Sequence, residues 1–314
     1  MKTLLKKIVS FPFWKIFLKK KRFVFLFHDI SEKNEVFFSE HYSTYPESFY
    51  NQIVFLKKQF NIVTIHDITD PNLPQSTRPY TAITFDDGFY SVYSKAYPFL
   101  KEHKIPFTIF VNKSAFLQDH LWFLELLTKK QTSSEIQKFY NLYVDNDKIT
   151  FDKFLRNPIQ GFNFIDFDLL SKQGINTSNS EKTFCGIHEL NEMLSSGLLT
   201  LGSHTKNHYT LSKCNDTVLS REIFDNVTFF KDKFNTEFLY FAIPFGKKDH
   251  YDQRTIDMCS KAGHKYIFTT NPIPFSRRQL NSDCIILPRI SILNERPREL
   301  WYLINRNIFK KIDL

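Results

Sequence analysis

Cysteine is scarce and unpatterned in this chain. Cys185, Cys214, Cys259 and Cys284 are the only four in 314 residues, and no C-x-x-C pair occurs. That spacing excludes a zinc ribbon or a disulfide framework and fits buried, reduced thiols in a reducing compartment. No repeat of fixed period and no low-complexity linker interrupts the sequence, which excludes a solenoid or a string of modules. No uninterrupted apolar run is long enough to cross a membrane. The apolar residues near the N-terminus are cut by Pro12 and Lys15, and no small-residue cleavage site follows, so neither a spanning helix nor a signal peptide is expected.

Acidic residues are missing from one place in particular. Residues 1–22 contain Lys2, Lys6, Lys7, Lys15, Lys19, Lys20, Lys21 and Arg22 with no Asp or Glu, which accounts for nearly all of the net charge of +9. Leu4, Leu5, Ile8, Val9, Phe11, Phe13, Trp14, Ile16, Phe17 and Leu18 are interleaved with those cations. Such a mixture suits an anionic membrane surface. Residues 296–314 repeat the pattern more weakly, with Trp301, Ile304 and Ile308 spaced for one helical face. Nothing else resembles a base-reading module, so a nucleic-acid partner is not expected. The expected location is cytoplasmic, peripheral to the inner membrane.

Between these ends, short apolar runs alternate with segments of helical periodicity. The runs are Arg22–Phe27, Thr81–Phe85, Phe107–Val111, Leu198–Ser203, Phe238–Ile243, Lys265–Thr270 and Cys284–Ile290. Continuous apolar strands alternating with helices predict an α/β fold with a parallel sheet, and seven strands fit a barrel. Chemistry in such barrels gathers at the C-terminal strand ends. Residues from about 113 to 185 break the rhythm and read as an inserted, mostly helical subdomain.

Two motifs fall at those strand ends. Thr84-Phe85-Asp86-Asp87-Gly88 places adjacent carboxylates after one run, and Ser203-His204-Thr205-Lys206-Asn207-His208 places two histidines after another. A spacing of four is about one helical turn, which lets both imidazoles face one point. One carboxylate and two imidazoles make a three-ligand metal site with open positions, and the second carboxylate is left to handle a proton.

With these motifs and Phe241-Ala242-Ile243-Pro244-Phe245-Gly246 downstream, the chain resembles the polysaccharide deacetylases, the NodB-homology or carbohydrate esterase family 4 group. The third motif has the form seen in the branch acting on poly-N-acetylglucosamine. The resemblance covers roughly residues 22–112 and 185–292 and implies a distorted (β/α) barrel of seven strands. It divides the chain into a basic amphipathic segment at 1–21, a deacetylase domain at 22–295 with its insertion at about 113–185, and a basic amphipathic helix at 296–314.

The resemblance implies roles as well. Asp87, His204 and His208 would bind a divalent metal, usually Zn2+ with Co2+ or Ni2+ also serving, and Asp86 would take a proton from the attacking water. The backbone N–H of Phe245 would help hold the oxyanion, in a turn shaped by Pro244 and Gly246. The general acid falls on His28, in Phe27-His28-Asp29, because in this branch the acid motif moves to the N-terminal strand; His264 and His66 are weaker candidates. The family's common third motif carries an arginine where this chain has Ala242, and Arg289 is the residue placed to substitute by reaching Asp86. The implied activity is removal of acetyl from an N-acetylated sugar of a bacterial surface glycan or its lipid-linked precursor. A glycan-binding protein that has lost catalysis, or an O-acetyl esterase, is the alternative.

Overall fold

The structure is a computed structural model that describes residues 18–32, 43–117, 137, 140–141, 182–280 and 284–307. The expected insertion at about 113–185 lies mostly outside those residues, and so does the basic segment at 1–21 apart from residues 18–21. The main strands are β1 (Lys21–Phe27), β2 (Tyr80–Asp87), β3 (Phe107–Val111), β4 (Leu199–Ser203), β5 (Tyr240–Ala242), β6 (Tyr266–Thr269), β7 (Ile285–Pro288) and a two-residue β8 (Ile290–Ser291). Neighbours pair in parallel from β1 through β7 in chain order. The sheet closes because β8 pairs back onto β1, with Phe25 opposite Ile290 and Leu26 opposite Ser291. The result is the distorted (β/α) barrel expected from the alternation of runs.

Period-two geometry divides the side chains of each strand between two layers. On β1, Phe23, Phe25 and Phe27 face the outer helices, where they meet Phe49, Phe60 and Phe85 edge-on or stacked. Val24, Ala82, Phe110, Ala242, Phe268 and Leu287 form a second cluster within the barrel. Both faces of the strands are therefore buried, which is why they read as unbroken apolar runs. Much of the phenylalanine content serves the sheet–helix layer.

The outer helices follow their sequence signals. Pro46–Gln59 begins with proline at its first turn and buries Phe49, Gln52, Ile53 and Leu56. Asp216–Phe234 is capped by Asn215, whose side chain accepts the Val218 N–H, and it ends at Asn235 with φ 47°.

The C-terminal helix Pro297–Asn307 corrects one expectation. Its apolar face does not look outward: Leu300 and Ile304 are fully buried, and the Trp301 ring packs against Phe55 and Phe60. An amphipathic stripe has the same spacing whether it covers a barrel or a bilayer, and here it covers the barrel. Ile308 lies outside the described residues. Among the described residues no helix is long and apolar enough to cross a membrane. Cys185, Cys214 and Cys259 are buried and none of the four cysteines is bonded to another.

Candidate metal centre and its surroundings

The C-terminal end of β2 carries two consecutive carboxylates, and a regular strand would send them to opposite faces. Ala82, Thr84 and Asp86 share the inner face. Asp87 joins them because its backbone turns into the left-handed region, with φ 75°, followed by Gly88 at φ 74°. Aspartate is among the few residues that tolerate that region. Both carboxylates are thereby buried at one point.

The histidine pair arrives by a different route from the one its spacing predicts. Residues 204–210 form no helical turn. His204 follows β4, and the chain then passes through left-handed Thr205 (φ 67°) and His208 (φ 59°). A strained loop, rather than helical periodicity, brings the two rings to 4.8 Å between centroids. His204 Nε2 lies 3.2 Å and His208 Nε2 3.7 Å from Asp87 Oδ1. One ligand atom from each of the three falls within 4.8 Å of the others. Asp87 Oδ1 is buried and accepts no hydrogen bond. A buried carboxylate oxygen flanked by two imidazole nitrogens lacks only a positive centre, so this donor set fits a divalent cation. The second nitrogen of His204 is fixed by the Ala242 carbonyl at 2.8 Å, which sets the ring's orientation.

Asp86 is held from the other side. Arg289, the residue between β7 and β8, donates Nη1 to Asp86 Oδ1 at 2.6 Å and Nη2 to Oδ2 at 2.8 Å. The guanidinium is fully buried and stacks over the Phe110 ring at 5.1 Å. Burial works against the Asp86 charge, but Arg289 and then His204 outweigh it, and the carboxyl lies below its ordinary value. His28, just past β1, places Nε2 4.0 Å from Asp86 Oδ2 and keeps a fifth of its side chain exposed. Burial lowers its pKa despite the pull of Asp87 and Asp86.

Phe245 completes the rim. Its ring meets that of His208 edge-on at 4.6 Å, and its backbone is left-handed at φ 62°. A Cβ on Gly246 would stand 2.6 Å from the Thr270 backbone nitrogen, so only glycine fits that turn. The two weaker histidines lie elsewhere. His264 precedes β6, bonds to the Phe238 carbonyl and is pushed down to about 4 by burial. His66 bonds to the Tyr240 hydroxyl at the start of β5. Both are at the opposite end of the barrel.

Three further residues hold the histidine loop, and no motif announces them. Glu222 accepts from the Asn207 backbone N–H at 2.8 Å and its side-chain Nδ2 at 2.6 Å, and bonds to the Thr205 hydroxyl. That hydroxyl in turn accepts the His208 N–H at 2.9 Å. Asn226, one turn on, donates to the Val111 carbonyl and the Ser203 hydroxyl. Asn112 donates to the carbonyls of His204 and Thr205. The only signal for them in the sequence is polarity at positions that helical or strand period would bury.

The polysaccharide deacetylase family matches residues 74–267. No curated protein matches this chain. Solved structures with a similar fold include the Streptococcus pyogenes deacetylase PplD in complex with acetate, at TM-score 0.60 and 16% identity over 89% of this chain and 96% of that one. IcaB from Ammonifex degensii is similar at TM-score 0.58 and 18% identity, over 90% and 97% of the two chains. A de-N-acetylase from Aggregatibacter actinomycetemcomitans is similar at TM-score 0.59 and 16% identity, over 88% and 96%.

Proposed function

The chain belongs to the polysaccharide deacetylase family, hydrolases that free acetyl groups from sugars, and from that premise we propose that it acts on an N-acetylated sugar of a bacterial surface glycan or its lipid-linked precursor. The observation that carries this reading is the convergence of Asp87, His204 and His208 beside a carboxylate clamped by arginine. The three would hold a divalent cation, zinc in the first instance. When bound, such a cation acidifies water and polarises an acyl carbonyl.

The remaining chemistry belongs to the chain. Asp86, kept ionised and immobile by Arg289, accepts a proton from the attacking water. His28, the most exposed of the cluster's histidines, stands 4.0 Å from Asp86, receives that proton from it and delivers it to the leaving amine as the carbon–nitrogen bond breaks. Its lowered pKa suits a group that carries a proton only while one is in transit. The Phe245 N–H is assigned to the oxyanion, in the strained turn that Gly246 permits. Products are acetate and a free amine; a free hydroxyl instead would identify an O-acetyl esterase. The basic segment at 1–21 is assigned to peripheral attachment at an anionic membrane.

Metal content tests the centre. Purified protein should carry about one divalent ion per chain, lost in Asp87→Ala and in His204→Ala. No bound metal after reconstitution with zinc or cobalt would sink the proposal.

A further inference from the structure

At the end of the barrel opposite His28 and the Asp pair, a cleft of about 580 Å³ is lined by Lys19, Lys20, Lys21, Arg22, Arg277 and Arg278. No Asp or Glu lines it. The cluster is a product of topology. The short strand Phe275–Ser276 pairs antiparallel with the start of β1, Lys21 opposite Ser276 and Arg22 opposite Phe275. Continuing both chains past that ladder brings Lys19 and Lys20 beside Arg277 and Arg278, though some 250 residues separate them in sequence.

The members differ in what they can do. Arg22 is buried and spends its guanidinium on the carbonyls of Ile68 and Asp70, so it forms the floor. The nearby Asp70 carboxylate is turned to the Asn72 N–H. Lys19, Lys20, Arg277 and Arg278 are exposed and Lys21 half-buried, and none of these five forms an ion pair among the described residues. A fold that gathers five unneutralised cations round one concavity accepts their mutual repulsion, and an anion supplied from outside relieves it. The volume suits a small ligand or a headgroup.

We propose that this cleft binds the phosphate of an anionic phospholipid headgroup. The sequence that precedes it decides between a lipid and a soluble phosphate: residues 1–17 mix Lys2, Lys6, Lys7 and Lys15 with large apolar and aromatic residues. This site is independent of the deacetylase chemistry, and it deepens the membrane attachment assigned to the N-terminal segment by adding a second, folded contact.

The test is co-sedimentation of the full chain with phosphatidylglycerol and with phosphatidylcholine vesicles, for wild type, for Arg277→Glu/Arg278→Glu and for a chain lacking residues 1–17. Binding to the anionic vesicles alone, weakened about a hundredfold by the double variant and still weakened by it in the shortened chain, is expected. Cleavage of a small acetylated substrate and the melting temperature should be unchanged in the double variant, which separates this proposal from the deacetylase reading. Anionic-vesicle binding that the double variant leaves intact would overturn the cleft's role. Glycerol 3-phosphate binding to the cleft without vesicle binding would overturn the lipid assignment.

Discussion

Asp86 gives both carboxylate oxygens to Arg289 and both side chains are buried, so the pair has no partial substitute. Removing one member of a buried ion pair strands the other at a cost of about 3–5 kcal/mol. Arg289→Met is therefore expected to lower the melting temperature and to cut turnover by about a hundredfold or more, the range of a general base, while metal content stays at wild type. Unaltered turnover would remove Arg289 from the reaction. The sign of the pH dependence follows from the lowered pKa of Asp86. A carboxyl depressed by folding stabilises the native state above its unfolded value, here near 3.8, and that contribution fades as the pH falls through the folded value. Asp86, Asp87, His204 and His208 are legible because each pair falls within one short motif that follows an apolar run. Glu222, Asn112 and Asn226 are not, because a buried polar residue on a helix face looks like any other until its partners are known.

The helix Asp216–Phe234 and the histidine loop work as one unit, with Glu222 as the joint. Burial pushes the Glu222 carboxyl up to about 7 from 4.5, against the bonds from Asn207 and Thr205. A raised carboxyl stabilises the fold fully below its unfolded value and loses that contribution as the pH rises through the folded one. Stability should accordingly fall by up to about 3 kcal/mol between pH 4.5 and pH 8 from this group. Glu222→Gln should flatten that slope in denaturation curves; an unchanged slope would assign it to another group. The helix Pro46–Gln59 is legible from its helical period and β3 from its unbroken apolar run. The spacing of 204 and 208 suggests a helical turn where the chain forms a loop, because left-handed residues leave no trace in spacing. The C-terminal stripe gives no clue to what it packs on, because a covered face and a membrane-facing one share a period.

For the whole molecule, the C-terminal helix is part of the barrel's covering and not an appendage. Deleting residues 297–314 uncovers Phe55 and Phe60 and discards Leu300, Trp301 and Ile304. At roughly 1.5–3 kcal/mol per large apolar side chain, the loss rivals the total stability of a domain. The shortened chain is expected to be unfolded or insoluble; native melting behaviour would contradict that. The closing contact of the barrel, β8 on β1, joins the two ends of the described fold, and Arg289 sits at the step into it. Among the strand pairings it spans the most sequence, so it bears the heaviest loop-closure entropy and must wait for the last strand to be made. The histidines and both aspartates come from β2 and β4, which meet through β3 and can assemble without it. A chain still emerging from the ribosome can bring its cation ligands together before the arginine that holds its base exists. Turnover in this protein is thus a late event in the life of the polypeptide, beginning only when its first strand has found its last.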